Sequence, residues 1–322
     1  MGGKRSAWLT GPTRGAYSAL PVRLAMRPLQ CATRRSPLAL AQCRSLLARL
    51  RVGDAVDVRE LLIVTSGDRV VDRPLADVGG KGLFVKEIEE ALLDGRADFA
   101  VHSMKDIPGT LASGLVLASI PVREDPRDVL IAPTYRTLEA LPSGARVGTS
   151  SPRRACALQS LRSDLEVVPL RGNVDTRLSK VDRGECEAIV LARAGLIRLG
   201  LGDRATDVLD VERLLPAVAQ GALGIECRGD DEEVIALVGR LHDAESATRV
   251  SAERGVLKAV GGDCHTPLAA HADRVDSMLR LRAWVNLGEV IRHAEIEIPW
   301  PATVEDAQAA GEDVGRRLLK RV

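Results

Sequence analysis

Aromatic side chains are scarce: they make up 2% of the 322 residues, as three Trp, two Tyr and two Phe. A core must then be built from Leu, Val, Ala and Ile, and base-stacking platforms for single-stranded nucleic acid are not expected. Charge of one sign is also missing. Lys plus Arg number 45 against 44 Asp plus Glu, a net +1. No global basic footprint of a nucleic-acid binder exists, so any anion site must be a local arrangement of cations. No apolar run approaches the roughly 20 residues that span a bilayer. Neither nucleic acid nor membrane is an expected partner. The six cysteines, Cys31, Cys43, Cys156, Cys186, Cys227 and Cys264, include no C-x-x-C pair, which speaks against zinc and thioredoxin-like chemistry; no metal is expected. Without a visible secretory signal they read as reduced thiols of a cytoplasmic protein. Acids are absent before Asp54, whereas Lys4, Arg5, Arg14 and Arg23 fall in the first 26 residues. Residues 1–25 read as an unstructured N-terminal extension, with a functional start at Met26, in preference to a transit peptide.

The length predicts two or three domains. Four basic loop motifs stand out: Ala32 to Pro37 (ATRRSP), His102 to Asp106 (HSMKD), Gly148 to Arg154 (GTSSPRR) and Leu170 to Asn173 (LRGN). Each mixes a small residue, a hydroxyl or amide, and a cation, a chemistry suited to carboxylates or phosphates. Ser36-Pro37 and Ser151-Pro152 both place a capping serine before a proline at the first helical position. This echo puts amide N–H groups at a helix N-terminus twice, each a ready anion site. Strands are predicted at 29–33, 56–64, 98–101, 115–120, 146–148, 166–170 and 188–191. Helices should follow 36, 84, 151 and 174. Asp68 to Gly82, polar and glycine-rich, reads as a mobile lid. Pro121 to Pro126 is a linker, Leu215 to Gly221 a second crossover, and Ala222 to Glu226 a strand returning to the first sheet. Past Ala244 come a helix, a Gly261-Gly262-Asp263-Cys264 loop, three strand-like runs and a last amphipathic helix near Val304.

Cys264 is a thiol in a glycine loop, reachable for covalent chemistry; a small buried hydrophobe is the plainer alternative, which we accept for the other five cysteines. His265 is adjacent but badly directed to serve as its base. Asp106, beside Lys105 at a strand end, is either a stabiliser of a cation in a transition state or a surface pair contributing little. Arg34, Arg153, Arg154, Arg171 and Arg177 lie near helix starts and strand ends. A solvated helix face explains most arginines, yet five so placed in a chain of net charge +1 suggest concentrated cations able to bind carboxylates bidentately. Being consecutive, Arg153 and Arg154 are not expected to face one point.

Taken together, the motifs resemble the porphobilinogen deaminase family, from about Met26 to the C-terminus. They are Ala-Thr-Arg-x-Ser-Pro-Leu-Ala-Leu at 32–40, Val-Gly-Gly-Lys-Gly-Leu-Phe-Val-Lys-Glu at 78–87, Ala-Val-His-Ser-Met-Lys-Asp-Ile-Pro at 100–108, Arg-Glu-Asp-Pro-Arg-Asp at 123–128 and Leu-Arg-Gly-Asn-Val-x-Thr-Arg-Leu at 170–178. The resemblance implies an α/β fold: two periplasmic-binding-protein-like domains with a central cleft, 26–121 plus 222–240 and 127–215, and a smaller α+β C-terminal domain, 244–322. It implies a monomeric transferase that condenses four porphobilinogens head to tail, each losing ammonia, on a dipyrromethane cofactor held by a thioether to the residue matching Cys264. Asp106 matches the catalytic aspartate, assisted by Lys105. Arg34, Ser36, Gln42 and Ser103 match positions that hold cofactor and substrate carboxylates. So do Thr149, Ser150, Ser151, Arg153 and Arg154, and further on Arg171, Arg177 and Arg198. Lys81 and Phe84 match the active-site loop and its edge. Two acidic arms on each of up to six rings give about twelve negative charges, which would account for an arginine cluster in a nearly neutral chain. Three departures are Pro152 for leucine, Ala219 for the first glycine of a Gly-Gln-Gly turn, and Asp263 for glycine. The rival reading is a non-catalytic two-lobed anion-binding protein, which gives the third domain and Cys264 no purpose.

Overall fold

The computed structural model describes residues 28–51, 56–69, 83–262, 266–288 and 290–320. The N-terminal extension, all but the start of the expected lid, Lys81, Asp263, Cys264 and His265 lie outside them. The chain divides into two units, Met1–Arg123 with Ala222–Thr248, and Glu124–Gly221 with Arg249–Val322.

The first unit opens with β1 (Leu29–Arg34), α1 (Pro37–Leu50), β2 (Val58–Ile63), the single turn α2 (Ser66–Arg69), α3 (Lys86–Leu93), β3 (Phe99–Ser103) and β4 (Leu115–Ser119). Ser36 caps α1 by accepting from the Ala39 amide, with Pro37 in the first turn. The chain then builds the second unit's sheet from β5 (Asp128–Ile131), β6 (Arg146–Gly148), α4 (Pro152–Leu161), β7 (Glu166–Val168), α5 (Val174–Asp182), β8 (Ala188–Ala192), α6 (Arg193–Arg198) and β9 (Asp207–Leu209). It returns through β10 (Leu223–Arg228) and α7 (Glu232–Gly239). It closes with α8 (Ala244–Val260), β11 (Leu268–Val275), β12 (Met278–Asn286), β13 (Ile291–Pro299) and α9 (Val304–Leu319).

The two five-stranded sheets run β2-β1-β3-β10-β4 and β7-β6-β8-β5-β9. In each, three strands are parallel and the fourth is antiparallel to both neighbours. That fourth strand is the one fed by a crossover, β10 in the first sheet and β5 in the second. The Ser-Pro echo therefore marks equivalent places, since α1 and α4 each follow the first strand of a parallel trio. Alternation along the strands buries both faces. Cys31, Phe99 and Val101 face α1 and α7, while Ala32 and Ala100 face α3. The C-terminal strands form a separate antiparallel sheet, β11-β12-β13. The α/β class and the small α+β segment expected from the sequence are present.

Five elements escaped the sequence reading: α2, β5, α6, β9 and α7. β5 is four apolar-rich residues running straight on from a proline-rich linker, too short for a period. α7 had a legible signal in Asp231, whose side chain caps the helix by accepting from the Val234 amide.

The crossovers are tied together by backbone. The Gly221 carbonyl accepts from the Glu124 amide at 3.2 Å. Gly221 has φ 87, and a Cβ there would lie 2.4 Å from the Glu124 oxygen. Ala219 does adopt a left-handed φ of 57, at a cost of about 1 kcal/mol relative to glycine. Its amide donates to Glu253 Oε2 at 2.6 Å, which holds it there.

In α9, a Cβ on Gly311 would sit 1.9 Å from the Ala252 carbonyl oxygen of α8. Gly311→Ala is therefore expected to destabilise by about 1–3 kcal/mol, read from urea unfolding; an unchanged midpoint would contradict so close a helix crossing.

Candidate active site

In the first unit Arg34 and the expected residues Ser103, Lys105 and Asp106 lie at the carboxyl ends of β1 and β3, where open α/β sheets bind ligands. Arg34 ends β1. Its Nε lies 3.2 Å from Asp68 Oδ1 and its Nη2 pairs with the same oxygen. Thr65 donates to Asp68 Oδ2 from its amide at 3.2 Å and its hydroxyl at 2.8 Å. Burial would raise the Asp68 carboxyl, but the Arg34 and Thr65 donors hold it below the usual carboxylate range. The Phe84 ring lies against the Arg34 guanidinium, 4.2 Å from centroid to Cζ. Only two phenylalanines exist; Phe99 is core and Phe84 faces this cation.

Lys105 and Asp106 ride on a single 3-10 turn, Met104–Asp106, directly after β3. The turn is anchored by Met104, which is buried and whose amide donates to the Ala222 carbonyl at 3.0 Å. Asp106 and Ser103 are half-buried, Lys105 exposed. Gln42 is buried in α1, while Ser36 is engaged in capping.

In the second unit two loops meet at the carboxyl ends of β6 and β7. Ser150 Oγ donates to the Leu170 carbonyl at 2.8 Å and accepts from the Leu170 amide at 3.1 Å. Thr149 Oγ1 accepts from the Ser151 amide, and Ser151 caps α4. Arg153 and Arg154 do converge, contrary to the expectation for consecutive residues. Arg153 Nη2 lies 2.7 Å from Asp128 Oδ2, and Arg154 Nη2 lies 2.7 Å from Oδ1. Long side chains from adjacent positions reach opposite sides of one carboxylate. Arg153 Nη1 donates to the Leu215 carbonyl and Arg154 Nη1 to the Val190 carbonyl, and both residues are buried. Gln220 adds a third donor to Asp128. Burial raises the Asp128 carboxyl, yet the two guanidiniums bring it down to about 2.

Arg177 is treated differently. Its Nε donates to the Gly172 carbonyl, and burial together with the cations of Arg154 and Arg171 pushes it down to about 10. Arg198 donates to the Gly221 carbonyl at 2.6 Å and is likewise pushed to about 10 by burial, against the pull of Glu124. A base lowered in this way is a cation the fold disfavours. The donor set of Arg171, Arg177 and Arg198 fits a ligand carrying several carboxylates.

The sequence reading missed Asp68 and Asp128 as partners of these arginines. Asp128 closes the quoted motif at 123–128, and an acid opening an apolar strand was the available signal.

A family model described as "Porphobilinogen deaminase, dipyromethane cofactor binding domain" matches residues 29–236, and one described as "Porphobilinogen deaminase, C-terminal domain" matches 247–320. Curated relatives called porphobilinogen deaminase include that of Sorangium cellulosum, 55% identical over 91% of this chain and 98% of its own. That of Paraburkholderia phytofirmans is 50% identical over 90% and 85%, and that of Syntrophotalea carbinolica 48% over 91% and 93%. Among solved structures, the periplasmic VFT2 domain of Bordetella pertussis BvgS aligns over 66% of this chain and 86% of its own at a TM-score of 0.40 and 17% identity, too distant to add to the strand order.

Asp128→Asn leaves two buried cations without their anion and is expected to destabilise by about 3–5 kcal/mol in urea unfolding. Because the folded pKa lies below the unfolded one, the contribution of Asp128 is full above the ordinary carboxylate range and fades as pH falls towards 2. The variant should accordingly lose the part of acid sensitivity that the parent shows there. Parent-like stability in the variant would contradict the network.

Proposed function

The chain belongs to the porphobilinogen deaminase family, and we propose that Asp106 and Cys264 are the centre of its reaction. It condenses four porphobilinogens head to tail into linear hydroxymethylbilane, with one ammonia released at each condensation, in tetrapyrrole biosynthesis. Its dipyrromethane cofactor, when bound, supplies the free pyrrole position at which the chain of rings begins. Cys264 holds that group through a thioether, and a permanent tether needs no neighbouring base in turnover.

Asp106 orients pyrrole N–H groups and stabilises the cation that forms on the incoming substrate as ammonia leaves. A half-buried carboxylate on a short anchored turn suits this, since fixed charge acts strongly where water is partly excluded. Lys105 offers a cation beside it. Arg34, Ser36, Gln42 and Ser103 from one unit, and Thr149, Ser150, Ser151, Arg171, Arg177 and Arg198 from the other, hold ligand carboxylates. Arg153 and Arg154 add charge, their hydrogen bonds being committed to Asp128. Lys81 and Phe84 belong to the active-site loop and its edge. The observation that carries this reading is Arg177, a half-buried guanidinium beside two other cations whose described hydrogen-bond partner is a carbonyl.

The reading takes three domains, 26–121 with 222–240, 127–215 and 244–322. The enzyme works as a cytoplasmic monomer on a small molecule, without nucleic-acid or membrane partners; the net charge of +1 supports this. The non-catalytic rival gives no role to the C-terminal match at 247–320.

Cys264→Ser is expected to yield protein that gives no colour with Ehrlich's reagent and does not turn over. Asp106→Asn should keep the coloured cofactor and lose at least about 100-fold in rate. A nearly unchanged rate in Asp106→Asn would refute the role of the carboxylate, and normal turnover by Cys264→Ser that of the tether.

A further inference from the structure

We propose that Asp68 is a positioning residue for the reaction, orienting the Arg34 guanidinium that receives a ligand carboxylate. This rests on the reading of Arg34 as a carboxylate holder.

Arginine carries about 2 kcal/mol of rotamer entropy, so a free Arg34 at a strand end would be a diffuse cation. Here every degree of freedom is met. Asp68 takes one edge of the guanidinium through Nε and Nη2. Asp68 cannot swing, because its other oxygen is held by the amide and hydroxyl of Thr65, itself fully buried. Phe84 covers one face of the guanidinium. The ring rests on Gly67, where a Cβ would come within 2.2 Å of it. The Gly67 amide in turn donates to the Leu83 carbonyl at 2.8 Å, and the Ser66 amide donates to Glu87 Oε1 at 2.8 Å. The Thr65–Asp68 segment is thus fastened to residues 83–87 and grips Arg34 from two directions.

What is left is the outer edge, Nη1 with the second Nη2 hydrogen; among the described residues no acceptor meets Nη1. Two parallel N–H groups on a fixed plane are the fork that a carboxylate binds bidentately. A carboxylate that fixes a cation in this way removes ordering entropy from ligand binding. Removing it should therefore raise KM more than it lowers kcat. A pair with a merely structural role would change thermal stability without that split.

The test uses the cofactor-loaded enzyme, with loading checked by Ehrlich's reagent. Asp68→Asn is expected to raise KM for porphobilinogen about tenfold with kcat within about twofold. Thr65→Val, which removes the hydroxyl donor to the second carboxylate oxygen and leaves the amide donor, should raise KM in the same direction by a smaller factor. Asp68→Asn added to Arg34→Ala should change KM by less than about twofold, since the acid acts through the arginine. Normal or lowered KM in both Asp68→Asn and Thr65→Val, with KM raised in Arg34→Ala, overturns the role of Asp68 alone. Unchanged KM in Arg34→Ala overturns the reading of Arg34 and this proposal with it. Full additivity in the double variant also overturns it.

Discussion

Positive charge crowded around Arg177 is the constraint behind the second unit's candidate site. Arg154, Arg171 and Arg177 lie close enough for two of them to depress the third, and burial depresses Arg198 as well. A chain that only had to fold would replace such groups or supply an acid for each. Among the described residues Asp128 is shared by Arg153 and Arg154, and Glu124 draws on Arg198. Arg177, crowded by Arg154 and Arg171, is the cation that an arriving anion would relieve most, which would couple stability to ligand binding in the same residue. A cofactor and a growing chain that bear carboxylates on every ring are ligands of that kind.

The arginines are handled in three ways, and the differences carry the chemistry. Arg34 has a private acid and a ring across its face, which orient it. Arg153 and Arg154 are locked in the interior around one carboxylate and fix the base of α4. Arg177 and Arg198 donate to the carbonyls of Gly172 and Gly221, and Arg198 is also drawn on by Glu124. Arg198 also touches the crossover at Gly221, which the Glu124 amide shares. A ligand that drew on Arg198 would therefore act on a segment linking the two units along the chain.

Much of this was legible in the residues. Ser36-Pro37 and Ser151-Pro152 announced two helices that proved topologically equivalent. The glycine and acid pattern placed β3 and its turn, and hence Asp106. The rule that alanine in place of a turn glycine signals a strained position was met at Ala219. What the sequence did not disclose was pairing over distance. Nothing local tells that Asp68 serves Arg34, or that Asp128 serves two consecutive arginines from 25 and 26 residues away. The spacing of consecutive residues on a helix argued against convergence, and it failed because an arginine side chain spans more than the arc between neighbours. Short elements such as β5 also hid, since four residues hold no period and take their identity from the strands on either side.

The uncompensated cation at Arg177 can be examined in protein that lacks the cofactor, using Cys264→Ser as the background. The measurement is the thermal midpoint of Cys264→Ser with and without Arg177→Met. Relief of a buried like-charge contact predicts a higher midpoint for the double variant. A lower midpoint would mean that Arg177 stabilises the fold without an anion, and would contradict the account.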